Sequence, residues 1–176
     1  MQQQQLGFTL IELIITLAVT AILAGIATPS MAGLIEYQRT TAAISSLTTH
    51  MQLARMAAVS RNRRAVLCPS GDGRICAIGT DWSSGWILFI DEDGNRRPDQ
   101  ADDILRTDLQ PVSTHLRVVS SRGRQQLRYL PDGSSAGSNL TLSICNPAGR
   151  LLGQVIVNNA GRPRSTLFKS ALPCPG

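Results

Sequence analysis

Phe8 to Ala27 form a predominantly apolar run of 20 residues that carries one charge, Glu12. At about 1.5 Å per residue, a helix of this length spans about 30 Å, which matches the hydrocarbon thickness of a bilayer. A carboxylate inside such a run is costly in lipid, so we expect Glu12 to have a partner and a role. The run therefore predicts a helix that spans a membrane and also takes part in assembly.

The residues before this run do not form an ordinary secretory signal. Such a signal places its small-residue cleavage site after the apolar core, whereas here Gly7 precedes the core. The leader, residues 1–7, is polar and contains no lysine or arginine. We expect cleavage after Gly7, which would keep the helix on the mature chain. Glu12 would then lie about one helical turn from a new terminus at Phe8, within reach of an ammonium group of its own or a neighbouring subunit.

The stretch Gly7-Phe8-Thr9-Leu10-Ile11-Glu12 resembles the class III signal of type IV pilins and type II secretion pseudopilins. In that family a prepilin peptidase cuts after the glycine and methylates the new terminal phenylalanine, and the glutamate guides subunit docking. Pro29 stands where pilins usually carry a helix-kinking proline. The resemblance implies that Gly7 and Phe8 are the processing site and that Glu12 and Pro29 serve assembly with other pilins.

Beyond Pro29 apolar residues recur at spacings of three and four, which predicts an amphipathic continuation of the helix. Arginines at the end of this pattern favour a helix end near residues 60–62, because cations stabilise the C-terminal end of a helix dipole. The apolar stripe consists of Leu34, Tyr37, Thr41, Ile44, Leu47, Met51, Ala54 and Ala58.

After residue 64 short β-type segments alternate with turn residues, and no second helix pattern is present. A long N-terminal hydrophobic helix followed by many short strands predicts an α+β fold, with the helix packed on a C-terminal antiparallel β-sheet domain. The candidate strands are Ala65–Cys68, Arg74–Ile78, Trp86–Ile90, Ile104–Leu109, Leu116–Ser120, Gln126–Leu130, Leu140–Cys145, Gln154–Asn158 and Arg164–Phe168. The expected segments are a leader (1–7), a transmembrane and assembly half of the helix (8–28), its amphipathic half (29–62) and a β-rich domain with a basic tail (63–176).

The domain sequence carries a narrower resemblance. Leu67 to Gly73 with Cys76, and Asp81 to Asp91 with its two tryptophans, are similar to minor pilins of the GspH/FimT family. In FimT-type members, the Gly-Arg-x-Arg motif, here Gly161 to Arg164, is associated with DNA binding during natural transformation. The resemblance implies a type IV pilin-like fold. It also implies a subunit that is held in the bacterial inner membrane, with its domain in the periplasm, before it enters a fibre.

Charge is distributed unevenly along the chain. Residues 117–176 carry eight cations and one acid, a net charge of +7, whereas residues 1–116 carry nine arginines and eleven acids, a net charge of −2. A basic end on an exported, fibre-forming chain points to a polyanion, and the planar fork of arginine matches phosphate oxygens. The predicted DNA-binding residues are Gly161, Arg162, Arg164, Lys169, Arg150, Arg122 and Arg124.

The spacing within Gly161 to Arg164 suits backbone binding. Residues two apart in an extended segment project to the same side, so Arg162 and Arg164 can contact neighbouring phosphates. Such contacts hold a strand without reading its sequence. Since few aromatic residues are present, duplex backbone binding is favoured over base stacking. The alternative is an ordinary solvated face.

Four cysteines suit an oxidising periplasm. Cys68 and Cys76 bracket a turn-rich loop, and a bond between Cys145 and Cys174 would hold the basic tail against a strand. We therefore favour these two pairs among the three possible connectivities.

Two motifs resemble catalytic or metal-binding signatures. Gly133 to Gly137 formally matches Gly-x-Ser-x-Gly, but a nucleophile elbow needs a strand, a sharp turn and a helix, so a loop is expected. Asp91 to Asp102 has the spacing of a calcium loop, but Arg96 replaces the turn glycine, and a solvated acidic turn is favoured. The two histidines are isolated in the sequence. We therefore expect no metal site, no cofactor and no enzymatic activity.

Two function hypotheses follow, both for a pilin-like subunit. The first is a minor pilin that binds extracellular DNA for uptake. The second is a GspH-like minor pseudopilin of type II secretion with a structural, assembly or cargo-facing role, in which the basic tail is incidental.

Overall fold

The computed structural model describes residues 8–109 and 112–175, except for the side chains of residues 26–30 and 171. Gly7 lies outside the described residues, and Pro29 is described only as backbone within a helix. One long helix, α1 (Leu10–Arg61), is followed by strands and a 3₁₀ turn at Ala101–Asp103. The strands are β1 (Arg64–Pro69), β2 (Gly85–Asp91), β3 (Ile104–Leu109), β4 (Arg117–Ser120), β5 (Leu127–Tyr129), β6 (Leu140–Cys145), β7 (Arg150–Val157) and β8 (Pro163–Pro173).

The two ends of α1 follow from local chemistry. At the start, Thr9 Oγ1 accepts a hydrogen bond from the Glu12 amide at 3.4 Å, and the Leu13 amide donates to the Thr9 carbonyl. At the end, Asn62 adopts a left-handed backbone with φ 51°, and the Arg63 amide donates to the Ala58 carbonyl. This is the common helix stop in which a residue with positive φ satisfies the last carbonyls. The predicted end near residues 60–62 is confirmed.

The chain divides into two compact units, one up to Gln38 and one from Arg39 onward. In the first unit the large apolar side chains are exposed, among them Phe8 at 85% and Leu10 at 77% of their full area. Within the described residues, no helix combines the length and the apolar character needed to cross a membrane.

In the second unit, α1 contributes one buried stripe to the core. Ala43, Ile44, Leu47, Met51, Ala54 and Ala58 are buried. Within this chain the predicted apolar stripe is buried from Ile44 onward, whereas Leu34, Tyr37 and Thr41 are exposed. Periodicity alone marks an apolar face and does not show where its packing partner begins.

Two antiparallel sheets complete the second unit. The first sheet has the strand order β3-β2-β1-β5, and the second has the order β4-β6-β7-β8. A single large core of α1 and strand residues contains the buried Trp82 and Trp86. A smaller cluster of Val66, Cys68, Ile87 and Phe89 is separate from it. The predicted α+β fold, with the helix packed on antiparallel sheets, is confirmed.

One predicted strand, Arg74–Ile78, is an irregular loop instead. Asp72 Oδ1 accepts hydrogen bonds from the amides of Arg74 and Ile75, at 2.9 and 3.1 Å, which turns the chain. The Ala77 amide then donates to the Pro69 carbonyl. Local side-chain bonds of this kind compete with a strand ladder, and the sequence pattern does not register them.

Candidate nucleic-acid interface

A tight turn positions the Gly161 to Arg164 segment. The Gly161 amide donates to the Asn158 carbonyl at 2.9 Å, which closes the connection between β7 and β8. Gly161 has φ +74°, a left-handed conformation that favours glycine. A Cβ at this position would collide with the carbonyl oxygen of Gly133. The glycine is therefore required both by its backbone conformation and by the close approach of a second loop.

Arg162 and Arg164 are both exposed, with Arg162 directly before β8 and Arg164 its second residue. β8 is an edge strand, since it pairs with β7 at one end of the second sheet. Arg164 lies opposite the half-buried Ile156, whereas the neighbouring Val155 and Val157 are in the core. Because strand side chains alternate between faces, Arg164 is on the outer face of the sheet.

Arg162 also borders a shallow groove against α1. The groove is lined by Gln52, Arg55, Met56, Val59, Ser60, Arg162 and Pro163. Arg55 donates from Nε to the Gly133 carbonyl at 2.9 Å, and this carbonyl is the atom that excludes a side chain at Gly161. Arg55 is thus a cation beside the predicted motif that sequence analysis missed, since it lies on the helix more than 100 residues earlier in the chain.

The other predicted cations on the β7–β8 hairpin are spread along it. Lys169 is exposed and lies in the stretch of β8 where the register with β7 shifts. Arg150 begins β7 and is opposite Pro173, at the far end of the hairpin from Arg164. At about 3.3 Å per residue, the two ends of β7 are about 23 Å apart. The structure therefore does not bring Arg150 next to the Gly161 to Arg164 segment.

Arg124 corrects one prediction. It is 8% exposed, and its guanidinium donates to Ser135 Oγ at 2.7 Å, to the Gln126 carbonyl at 3.2 Å and to the Ser138 carbonyl. Burial, and secondarily the charge of Arg128, lowers the pKa of Arg124 from its usual value. The side chain ties two loops together, so its assignment as a phosphate ligand was wrong.

Arg122 lies elsewhere, in a cleft of about 840 Å³. This cleft also contains three arginines that sequence analysis did not assign to any site. They are Arg96, Arg97 and Arg128.

Both favoured disulfide pairs are present. Cys68 is bonded to Cys76, with Cα atoms 5.6 Å apart, and Cys145 is bonded to Cys174, with Cα atoms 5.9 Å apart. The second bond joins β6 to the segment that follows β8, and the Cys174 amide donates to the Gly149 carbonyl at 2.8 Å. β8 is thus fastened at its end by the disulfide and at its start by the Gly161 turn.

The two look-alike motifs have structural roles. Ser135, in the middle of Gly133 to Gly137, is 3% exposed, and its hydroxyl accepts the hydrogen bond from Arg124. In the acidic loop, Asp91 Oδ1 accepts from the amides of Gly94 and Arg96 and so shapes the turn. Among the described residues, no group of three or more potential ligands could hold a metal ion.

The sequence suggested that His50 is isolated, but in the fold it has polar neighbours on both sides of its ring. Its Nε2 lies 3.7 Å from Asp108 Oδ2, and its Nδ1 is 2.8 Å from the Ser46 carbonyl oxygen. Ser46 Oγ donates to Asp108 rather than to the histidine. The arrangement connects α1 to β3, and it lacks the serine-to-histidine hydrogen bond of a nucleophilic triad.

The described residues thus form a long N-terminal helix, which begins at the Thr9 hydrogen bond, and two small antiparallel sheets. The chain belongs to the family of the type II transport protein GspH, and residues 43–161 match the sequence pattern of that family. Residues 2–28 match the prokaryotic N-terminal methylation motif. Arg162, Arg164 and Lys169 lie beyond the part that the GspH family covers.

The relatives are pilin-like proteins. The chain is 28% identical over 162 residues to the pilin-like protein PilA1 of Thermus thermophilus, a match that covers 90% of this chain and 96% of the relative. The minor pilin FimU of Pseudomonas aeruginosa superimposes with a TM-score of 0.60, at 20% identity and over 81% of this chain and 99% of that one. GspH of E. coli superimposes with a TM-score of 0.53, at 16% identity and over 78% of this chain and 94% of that one. These two structures establish the shared fold.

Membership in this family places the chain among the type II transport proteins of the GspH kind. The methylation motif implies prepilin processing, a membrane anchor and assembly with other pilin-like subunits.

Proposed function

We propose that this chain is a minor pilin of a type IV pilus that binds extracellular DNA, without sequence specificity, for uptake in natural transformation. The observation that carries the proposal is the position of Arg162 and Arg164. Both are exposed at the start of an edge strand whose turn is held by Gly161. Cations on a rigid support lose little conformational freedom when they contact phosphates, which favours binding.

The surroundings of these arginines support a polyanion as the ligand. Residues 117–176 contain a single acid, Asp132, against eight cations. Lys169 adds an exposed positive charge on the same strand, and Arg55 lines the groove beside Arg162. Contacts from these side chains would be made to the phosphodiester backbone, so they would hold DNA of any sequence.

The N-terminal segment would serve membrane residence and assembly. In this proposal a prepilin peptidase in the inner membrane cleaves after Gly7 and methylates Phe8. Residues 8–28 then anchor the subunit in the membrane until it enters the fibre, with the domain in the periplasm. The exposed apolar side chains of this segment support the proposal, because an apolar surface of that extent requires lipid or neighbouring subunits to cover it. Glu12 and Pro29 would contribute to docking.

A second candidate is a GspH-like minor pseudopilin of type II secretion with a structural role. The family match favours it, since the matched residues 43–161 contain the whole core but stop at Gly161. In that case Arg162 and Arg164 would have no ligand. DNA binding by these two side chains therefore separates the candidates.

The test is DNA binding by the full chain in an uncharged detergent, measured by fluorescence anisotropy with a labelled duplex of random sequence. We expect the Arg162→Gln/Arg164→Gln variant to bind at least about tenfold more weakly at 0.1 M salt, because two phosphate contacts are lost. The matched control is Arg106→Gln/Arg117→Gln, which removes two exposed strand arginines that line neither the groove nor the cleft. An equal loss in both variants, or no loss in either, would contradict the proposal.

A further inference from the structure

The cleft that contains Arg122 is formed by four separate parts of the chain. One wall is the loop that follows β1, around Ile75 to Ile78, and another is the loop after β2, around Arg96 and Arg97. The third part runs from Arg122 into β5 and includes Arg124 and Arg128, and the fourth is the loop at Ala136 to Ser138. None of these segments belongs to the β7–β8 hairpin, so the cleft is a different surface from the Gly161 to Arg164 segment.

The charge of the cleft is one-sided. Five arginines line it, Arg96, Arg97, Arg122, Arg124 and Arg128, and no aspartate or glutamate is among its described lining residues. Concave surfaces lined by one sign of charge focus the electric field and concentrate counter-ions. Such an accumulation of like charge is unfavourable in the empty protein, and a bound anion would relieve it.

The fold holds these cations in place. Arg128 lies opposite Val66 in the β1–β5 pair, so its side chain is on the same face of the first sheet as the small apolar cluster that contains Val66. Arg96 has φ 66°, and its amide is held by the buried carboxylate of Asp91 at 3.2 Å. Arg124 is fixed by its three hydrogen-bond acceptors. The cationic lining is thus built on a strand and on hydrogen-bonded loops.

We propose that this arginine-lined cleft is a second phosphate-binding site, which holds a chain of phosphate groups such as a nucleic-acid backbone or inorganic polyphosphate. Arg96, Arg97 and Arg128 supply guanidinium groups to the phosphate oxygens, while Arg124 maintains the shape of the wall. The part of the inference that takes DNA as the source of the phosphates rests on the proposed function. The loop from Asp132 to Ser138 connects the two sites, since Gly133 contacts Gly161 and Ser138 lines the cleft.

The experiment uses the full chain in an uncharged detergent with two probes, inorganic tripolyphosphate and duplex DNA. The variant is Arg97→Gln/Arg128→Gln, and the matched control is again Arg106→Gln/Arg117→Gln. We expect the cleft variant to bind tripolyphosphate at least about tenfold more weakly than the control does, with the slope of log affinity for DNA against log salt reduced by about 1.8. If the Arg128→Gln substitution lowers the Tm, the cleft variant becomes Arg96→Gln/Arg97→Gln, because both of these residues lie on an exposed loop.

The outcomes separate the two proposals. The cleft proposal is supported if tripolyphosphate binding survives Arg162→Gln/Arg164→Gln and is lost in the cleft variant. This conclusion does not depend on the result of the DNA-binding measurement. If the wild type binds tripolyphosphate through the cleft but binds no DNA, the proposed function fails and the cleft stands with polyphosphate as its ligand. If the cleft variant binds both probes as the control does, or if the wild type does not bind tripolyphosphate, the cleft proposal is overturned.

Discussion

Arginine side chains in this domain have two physically different roles at the scale of single residues. Arg162 and Arg164 are exposed, whereas Arg124 is buried with its donors bonded to Ser135, Gln126 and Ser138. A buried guanidinium is stable only when protein oxygens replace its lost hydration. Loss of an exposed arginine should therefore affect binding, and loss of the buried one should affect folding.

We predict that Arg124→Met destabilises the domain by about 2–4 kcal/mol, because the buried Ser135 and the half-buried Gln126 lose their charged donor. Urea unfolding measures the change. The control is Arg128→Met, the same substitution four residues later at a half-exposed side chain, and it should cost less than about 1 kcal/mol. Equal destabilisation by the two variants would show that Arg124 is not a structural residue.

Gly161 provides a second prediction at this scale. Gly161→Ala must place a Cβ at φ +74° and against the Gly133 carbonyl, whereas Gly149→Ala, at φ +75°, meets no atom within 4 Å. The control therefore measures the backbone cost alone, about 1 kcal/mol. We expect Gly161→Ala to cost at least about 1–2 kcal/mol more in urea unfolding and to weaken DNA binding although no charge changes. Identical costs for the two alanine variants would contradict the predicted collision.

Tyr129 gives a pH dependence. Its side chain is fully buried, and its hydroxyl has no hydrogen-bond partner among the described residues. Burial raises the pKa of Tyr129 to about 12, against about 10 in the unfolded chain. Below pH 10 both states hold the proton, and above it the unfolded state releases its proton first, so stability falls as pH rises from 10 to 12.

We expect the free energy of unfolding of the wild type to fall by about 2 kcal/mol between pH 10 and pH 12 on account of Tyr129. Tyr129→Phe should match the wild type within about 1 kcal/mol at pH 8, since no hydrogen bond is lost. Tyr129→Phe should also lack the part of the decrease in the free energy of unfolding at alkaline pH that the phenol causes. Parallel pH dependences of the two proteins would rule out the phenol as the cause.

Sequence reasoning identified the residues whose role depends on neighbours in the chain, and missed those whose role depends on the fold. Gly161 and the four cysteines carry local signals, such as a turn glycine or a cysteine on each side of a loop. The difference between Arg124 and Arg128, four residues apart, is one of burial, which depends on loops that fold over the first and not the second. The net charge of residues 117–176 does not distinguish the buried Arg124 from the half-exposed Arg128.

At the scale of elements, the β7–β8 hairpin is the unit that presents the motif. It is closed by the Gly161 turn, paired along Arg150–Val157, and fastened after β8 by the Cys145–Cys174 bond. Since β8 is an edge strand, it has one neighbour to hold it, and the disulfide restrains its C-terminal end. The position of β8 in the sheet and the register shift near Lys169 were not predictable from its alternation of residues alone.

We predict that removing the Cys145–Cys174 bond by a double Cys→Ala change destabilises the domain by about 3.5 kcal/mol, from the loop entropy of a 29-residue separation. The control is the equivalent change at Cys68 and Cys76, whose separation of 8 gives about 2.5 kcal/mol. Because the first bond fastens the hairpin, its loss should also weaken DNA binding more than loss of the second. The reverse order of effects on binding would contradict this role.

At the scale of the whole molecule, the sequence divides into an apolar N-terminal segment, a domain with its own core and a basic C-terminal region. The fold class and the strand content were readable from periodicity, because one long helical pattern precedes short alternating segments. The arginine cleft could not be predicted from the sequence, since the loops after β1, β2 and β5 and the segment from Arg122 into β5 form it together. Such a site exists only once the first sheet has assembled.

The central claim, that this subunit binds the DNA backbone through Arg162 and Arg164, is tested most directly by the salt dependence of DNA affinity of the full chain. If about six phosphates are neutralised, log affinity should fall with log salt at a slope of about −5, and Arg162→Gln/Arg164→Gln should reduce the steepness by about 1.8. Arg106→Gln/Arg117→Gln should leave the slope unchanged. A slope near zero for the wild type, or an unchanged slope in the Arg162→Gln/Arg164→Gln variant, would contradict the claim.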